Sequence, residues 1–309
     1  MAYFKRVQEE SKNTTLENII DIANRADGVR TRETTGIVRA ILKEEKGRNT
    51  GLRMTGNMQY IPKGGNAVVI GDLHGDESSL VKILKETDFV ERVKKGEKLK
   101  LIFLGDYIDR GPNQVEVVNI VFELKRSFPD NVVMLRGDHE AQPSSPNSPG
   151  GRDFLNETIR KYKDFEGSMF RHYFEAFGML PLAAKSENGI LFVHGGISDK
   201  TDEASIAYGG DEIERDILWN DPRNISGMRE NDERGIGSYF GRDVLRDRVL
   251  IRGHEPVRAE NVEMFGGKLL TINSSYIPGY LAHKDFAVGY GYVSLEKEVD
   301  DVRELFHRI

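Results

Sequence analysis

The chain has no cysteine among its 309 residues. That excludes a disulfide framework, a thiolate nucleophile and a thiolate zinc site, so any metal must sit among oxygen and nitrogen donors. A basic excess is also missing. Forty-four Lys and Arg stand against 50 Asp and Glu, a formal net charge of −6, which lacks the electrostatic footprint of a general nucleic-acid binder. No run approaches the roughly 18 apolar residues of a membrane-spanning helix. The opening MAYFKRVQEESKNTT is charged and does not resemble an apolar leader. The expectation is a cytoplasmic protein with neither a nucleic-acid nor a membrane partner. What is present, 38% hydrophobic and 30% charged residues, suffices at this length for a substantial core.

The chain changes rhythm along its length. Thr15 is placed to cap a helix through Leu16, Ile19, Ile20 and Ala23 that stops near Asp27–Gly28. A second helical pattern covers Ile37, Val38, Ile41 and Leu42, and GLRMTGNMQYIPKGG then reads as a glycine-rich link. Residues 1–62 are therefore expected to be a helical extension packed on a catalytic domain at 63–309, with a regulatory partner as its sharper role. From Ala67 onward, AVVIGD, KLIFLGD and NVVMLRGD are short apolar runs that each end in Gly-Asp, with helical segments between them. GILFVHGG and RVLIRGHEP repeat the pattern and end in histidine. These runs predict an α/β core with its chemistry at the strand ends. The later KLLTINSS and FAVGYGYVSL favour further strands, and the C-terminal EKEVDDVRELFHRI fits a strand or a short helix.

The strand ends supply Asp72 and His74, then Asp106, Asp138, His194 and His254. Carboxylate mixed with imidazole suits manganese, iron or zinc better than calcium. Six such ligands exceed one structural zinc but fit two ions sharing a bridge, an arrangement that clamps phosphoryl oxygens and activates water. Of seven histidines, His74, His139, His194 and His254 lie at these glycine-flanked ends. His172, His283 and His307 lack that setting and are expected to have ordinary roles.

GDLHG at 71–75, GDYIDRG at 105–111 and GDHE at 137–140 resemble the GDxHG, GDxVDRG and GNHE blocks of the metal-dependent phosphoprotein phosphatases. The likeness continues through FVHGGIS, LWNDP, ERGIGSYFG and IRGHEPV, in the family's order, over roughly residues 67–280. It implies the calcineurin-like metallophosphoesterase fold, an α/β β-sandwich of two mixed sheets flanked by helices. It further implies hydrolysis of phosphoserine and phosphothreonine in proteins by water that two divalent ions activate, Mn²⁺ foremost, with iron or zinc as alternatives. Asp72 and His74 would hold the first ion, Asp106 would bridge, and Asp138, His194 and His254 would complete the second. His139 matches the general acid and Asp109 its orienting carboxylate. Arg110 and Arg234 match the phosphate-holding arginines, with Tyr276 and Arg252 as further expected phosphate contacts. Asp221 reads either as a turn residue or as a supporting partner.

One position departs from the pattern: the asparagine of GNHE is Asp138 here. A carboxylate also ligates divalent ions, but its extra charge should hold cations more tightly while opposing an anionic substrate. Two other functions compete. A dinucleoside polyphosphate or other small-molecule phosphoesterase shares GDxHG, whereas the RGxGxxFG-like block favours phosphoproteins. A metal-containing binding protein without turnover would be expected to lose the acid or the arginines, which are all present.

Overall fold

The computed structural model describes residues 11–141, 153–276 and 286–309. Its strands in chain order are β1 (Arg53–Thr55), β2 (Met58–Ile61), β3 (Asn66–Ile70), β4 (Leu99–Phe103), β5 (Val132–Met134), β6 (Ala183–Ser186), β7 (Ile190–Val193) and β8 (Asp221–Pro222). They continue with β9 (Met228–Glu230), β10 (Ser238–Phe240), β11 (Val249–Arg252), β12 (Glu263–Met264), β13 (Leu269–Thr271), β14 (Gly289–Ser294) and β15 (Phe306–Arg308). A seven-stranded sheet is ordered β1-β2-β6-β7-β11-β13-β12 and a five-stranded sheet β15-β14-β3-β4-β5. A small third sheet, β8-β10-β9, carries the loop at Asn231–Gly237. The two large sheets with helices on their outer faces are the mixed α/β sandwich expected from the sequence.

Strand periodicity explains the layering. Side chains alternate across a sheet, so Val68 and Ile70 of β3 join a helical core while Ala67 and Val69 join the core shared by both sheets. In β7, Ile190 and Phe192 enter that shared core, whereas Leu191 and Val193 meet Ile206 and Ile217 on the opposite side. Both faces are buried, which is why these strands read as continuous apolar runs. β3, β4 and β5 are parallel to one another, as are β7, β11 and β13. Their C-terminal ends therefore bring the Gly-Asp and histidine segments to one end of the sandwich.

Two local expectations change. The segment expected as a glycine-rich link instead forms the antiparallel pair β1–β2, and β2 runs parallel to β6. Met54, Met58 and Ile61 are buried there, which decides for strand over loop. The C-terminal tail resolves as strand β15, paired with β14. Among the described residues, no helix is long and apolar enough to cross a membrane.

Near the N-terminus, helices Leu16–Arg25 and Gly28–Glu45 lie against helix Gln114–Ser127. Thr15 and Asp27 cap them, accepting the backbone N–H groups of Asn18 at 3.2 Å and Val29 at 2.8 Å. A buried ion pair joins the two layers. Lys125 Nζ donates to Glu45 Oε1 at 2.6 Å and to the Val132 and Pro129 carbonyls at 2.7 and 3.0 Å. Removing one member of such a pair strands the other charge, so Glu45→Ala should lower unfolding stability by about 3–5 kcal/mol. Paired replacement with Lys125→Met should recover much of it. Urea unfolding of the single and double variants measures this, and a loss below about 1 kcal/mol for the single variant would contradict the coupling.

Candidate active site

The site is built just beyond β3, β4, β7 and β11 from loops, and beyond β5 from the short helix Asp138–Ala141. Asp72, His74, Asp106, Asp138, His194 and His254 are each at most 5% exposed, so their charges lie outside bulk water. The backbone that aims them is strained. His74, Asp106 and His254 take φ of +45°, +56° and +71°, and Asp109 and Arg110 take +65° and +72°. A left-handed non-glycine residue costs on the order of 1–2 kcal/mol, and such strain persists only where its surroundings enforce it. Close approach explains two glycines. A Cβ on Gly137 would sit 2.1 Å from Asp106 Oδ1, and one on Gly253 would sit 2.5 Å from Asp72 Oδ1. Gly253 thereby lets the His254 backbone N–H donate to Asp72 Oδ1 at 2.7 Å.

Carbonyl partners fix the imidazole tautomers. His74 Nδ1–H donates to the Ile108 carbonyl at 2.8 Å and His194 Nδ1–H to the Leu104 carbonyl at 3.0 Å. Each leaves an Nε2 lone pair turned toward the carboxylates. His194 Nε2 lies 2.8 Å from Asp138 Oδ1 and 3.1 Å from His254 Nδ1, which is itself 3.1 Å from Asp138 Oδ1. Asp106 faces both sides: Oδ1 is 3.5 Å from His194 Nε2, and Oδ2 is 3.3 Å from His74 Nε2. Asp72 Oδ2 is 3.8 Å from His74 Nε2. Among the described residues two donor groups result, Asp106–Asp138–His194–His254 and His74–Asp106–His139, with Asp106 common to both. Lone pairs and carboxylate oxygens aimed at one another in a buried space fit cations between them. The His/Asp cluster is a site for two metal ions.

Against the second group, His139 is oriented for another task. Its Nδ1 is 2.7 Å from Asp109 Oδ2, while its Nε2 lies 3.0 Å from Arg110 Nη2. Arg110 Nη1 lies 2.6 Å from His74 Nε2, so one guanidinium caps both rings. Burial alone lowers the His139 pKa, but Asp106, Asp138 and Asp109 outweigh it and raise it to about 9. Burial holds His254 down to about 3 despite Asp138, with Arg234 adding to the depression. Burial and the neighbouring Asp138 push the Asp106 carboxyl well above the usual range.

Arg234 is tethered through Nε to Asp221 Oδ2 at 2.7 Å and keeps a partly exposed side chain. Arg252, expected among the phosphate contacts, faces inward instead. It is fully buried, and its three nitrogens donate to the Gly195 carbonyl, Glu255 Oε2 and Asp221 Oδ1. Asp221 therefore links two arginines and also accepts from Asn231 Nδ2 at 2.9 Å, a supporting position more than a turn residue. Tyr276 is 55% exposed, and its backbone N–H donates to Asp76 Oδ2 at 2.7 Å. His307 stacks on Tyr290 at the sheet edge, and His172 lies in helix Ser168–Phe177. His283 lies outside the described residues.

Sequence reasoning assigned no role to Glu140, although it completes GDHE. Its buried carboxylate accepts the backbone N–H groups of Asp106, Tyr107 and Gly137 at 2.8–2.9 Å, tying the second and third strand ends together. Trp219 was also missed. Its ring meets His254 edge-on, with centroids 5.7 Å apart. Position in a motif was the available signal for both: Glu140 in GDHE and Trp219 inside LWNDP.

The sequence profile of the calcineurin-like phosphoesterase family matches residues 66–258. A probable serine/threonine-protein phosphatase of Encephalitozoon cuniculi is 30% identical over 279 residues, covering 85% of this chain and 58% of that protein. The chain thus spans little more than half the length of that relative. The serine/threonine-protein phosphatase 4 catalytic subunit of Saccharomyces cerevisiae is 31% identical over 227 residues, 69% of either chain. The fold is similar to a solved Saccharomyces cerevisiae protein serine/threonine phosphatase, with a TM-score of 0.64 at 24% identity, covering 85% of this chain and 82% of that one. Site geometry, fold and sequence agree: this chain belongs to the calcineurin-like phosphoesterase family, with serine/threonine-protein phosphatases among its relatives.

Proposed function

We propose that this protein is a metal-dependent phosphomonoesterase that removes phosphate from phosphoserine and phosphothreonine in proteins. The supporting observation is Asp106 standing between two donor groups with the His139–Asp109 pair and Arg110 beside them. The phosphoprotein preference rests on the ordered sequence blocks and on relatives described as serine/threonine phosphatases.

Asp72, His74 and Asp106 would hold one ion, and Asp106, Asp138, His194 and His254 the other, with Mn²⁺ as the leading candidate and iron or zinc as alternatives. When bound, the ions supply charge neutralisation and a more acidic water. Arg110 and Arg234 then grip phosphate oxygens with planar, permanently charged donors. Turning Arg110 toward substrate uncaps His74 Nε2 and His139 Nε2. Protonated His139, held by Asp109, delivers its Nε2 proton to the departing serine or threonine oxygen as the phosphorus–oxygen bond breaks. Arg252 acts through Asp221 by fixing the acid that orients Arg234. Residues 1–62 are proposed to receive a regulatory partner, and the protein to work in the cytoplasm.

The deciding experiment joins metal analysis to assays on phosphoserine peptides and dinucleoside polyphosphates. Chelator-sensitive peptide hydrolysis that Mn²⁺ restores is expected. Hydrolysis confined to dinucleoside polyphosphates would transfer the assignment to a small-molecule enzyme. Metal loading should also change the fluorescence of Trp219, the single tryptophan, because its ring abuts His254.

His139→Asn should lower kcat on phosphoserine peptide by about 10²–10⁴-fold, the usual worth of a general acid, while metal content holds. A loss below about tenfold would remove His139 from that role. Asp138→Asn should weaken Mn²⁺ affinity and raise kcat, since one negative charge leaves a site that must accept an anion. Calorimetric metal titration and peptide turnover test both halves; equal affinities and rates would end the charge argument.

A further inference from the structure

We infer that Gln114 is a positioning residue that clamps the Asp109–Arg110–Gly111 turn and so sets both the acid pair and the phosphate arginine. The inference rests on the phosphomonoesterase reading but not on a protein substrate. Gln114 opens helix Gln114–Ser127, yet its side chain folds back on the preceding loop and is only 4% exposed. Its Oε1 accepts the Asp109 backbone N–H at 2.9 Å, and its Nε2 donates to the Gly111 carbonyl at 3.2 Å. One amide thus grips the loop on either side of Arg110, using its carbonyl oxygen as acceptor and its NH₂ as donor at once.

The turn needs such a grip. Asp109 and Arg110 are consecutive non-glycine residues in the left-handed region, a run that L-residues avoid because Cβ crowds the backbone. Within the loop, the Gly111 N–H donates to the Asp109 carbonyl at 2.9 Å. The Asp109 side chain is fixed separately, with Oδ1 accepting the Phe154 N–H at 3.3 Å and Oδ2 meeting His139. Gln114 fixes the backbone from which that carboxylate hangs. It also reaches the first ligand loop: a Cβ on Gly75 would lie 2.8 Å from Gln114 Cγ, and the Asn113 N–H donates to the Gly75 carbonyl at 3.1 Å. The residue therefore sits where the His74 and Asp109–Arg110 loops are held in register.

Two outputs should move together when the clamp goes. A loosened Arg110 weakens the grip on phosphate for any ester. A loosened Asp109 misdirects His139, which matters only where the leaving oxygen needs a proton. Phenyl phosphate needs that proton on its leaving oxygen, whereas dinitrophenyl phosphate releases dinitrophenolate, which leaves readily as an anion. Gln114→Met has similar length and no hydrogen-bonding amide. Gln114→Glu keeps the acceptor for Asp109 but loses the donor to Gly111.

Both variants, as the full Mn²⁺-loaded chain, are compared with the parent on the two aryl esters, alongside melting temperature. For Gln114→Met the expected loss in kcat/KM is about 100-fold on phenyl phosphate and about tenfold on dinitrophenyl phosphate, the scale of a misplaced catalytic group. Gln114→Glu should fall between, with the same widening for the poorer leaving group. Equal losses on both esters, or losses that track a lower melting temperature, would reduce Gln114 to a structural role and overturn the inference. So would unchanged kinetics. If the parent hydrolyses neither ester, the clamp is judged on inorganic phosphate binding followed through Trp219, and if it hydrolyses no phosphoserine peptide either, the phosphomonoesterase reading fails instead. In the binding measurement, roughly tenfold weaker binding by Gln114→Met supports the clamp, and equal affinity rejects it.

Discussion

Charge crowding in one buried space is the constraint from which the rest of the molecule follows. Asp72, Asp106 and Asp138 converge with the imidazoles of His74, His139, His194 and His254, out of reach of bulk water. In a low-dielectric setting, like charges and opposed lone pairs at about 3 Å are costly unless a cation lies among them. Burial raises the Asp106 carboxyl, with Asp138 adding to the rise, and burial depresses His254 in spite of Asp138. A proton and a metal ion compete for these atoms, so metal affinity should fall in acid.

Holding such a cluster requires a stiff frame. Parallel strands deliver the ligands from both sheets, but left-handed turns make the final aim. Those turns are unfavourable locally and are enforced by groups that bind no substrate themselves. Glu140 collects three backbone N–H groups from two strand ends, and Gln114 holds the turn bearing Asp109 and Arg110. Strain is thus concentrated at the chemistry and balanced by buried hydrogen bonds around it.

This division explains what was legible in the sequence. Buried parallel strands leave apolar runs, and glycine-flanked acids and histidines mark their ends, so an α/β core with clustered strand-end residues could be anticipated, while the two-sheet sandwich came from the family resemblance. Side-chain direction could not. Arg252 stands two residues before His254, yet its guanidinium turns inward to Gly195, Asp221 and Glu255. The β1–β2 pair was obscured because glycine and polar residues interrupt its alternation, whereas burial of Met54, Met58 and Ile61 depends on partners far along the chain. Gln114 carries no signal in composition or period, since its role comes from folding back on its own loop.

The inward turn of Arg252 has an electrostatic consequence. Arg234, Asp221, Arg252, Glu255 and Arg223 form a chain of alternating charge from the site toward the surface, with contacts of 2.7–3.1 Å. Glu255, drawn down to about 2 against its burial by Arg252 and Arg223, stays ionised and keeps the chain intact. Glu233 stands 3.8 Å from Arg223 at the outer end, so three carboxylates match three guanidiniums along the chain and Arg234 is the guanidinium at its site end. Arg252 therefore reaches the site only through Asp221: its guanidinium holds one carboxylate oxygen at 3.0 Å while the other accepts from Arg234 Nε at 2.7 Å.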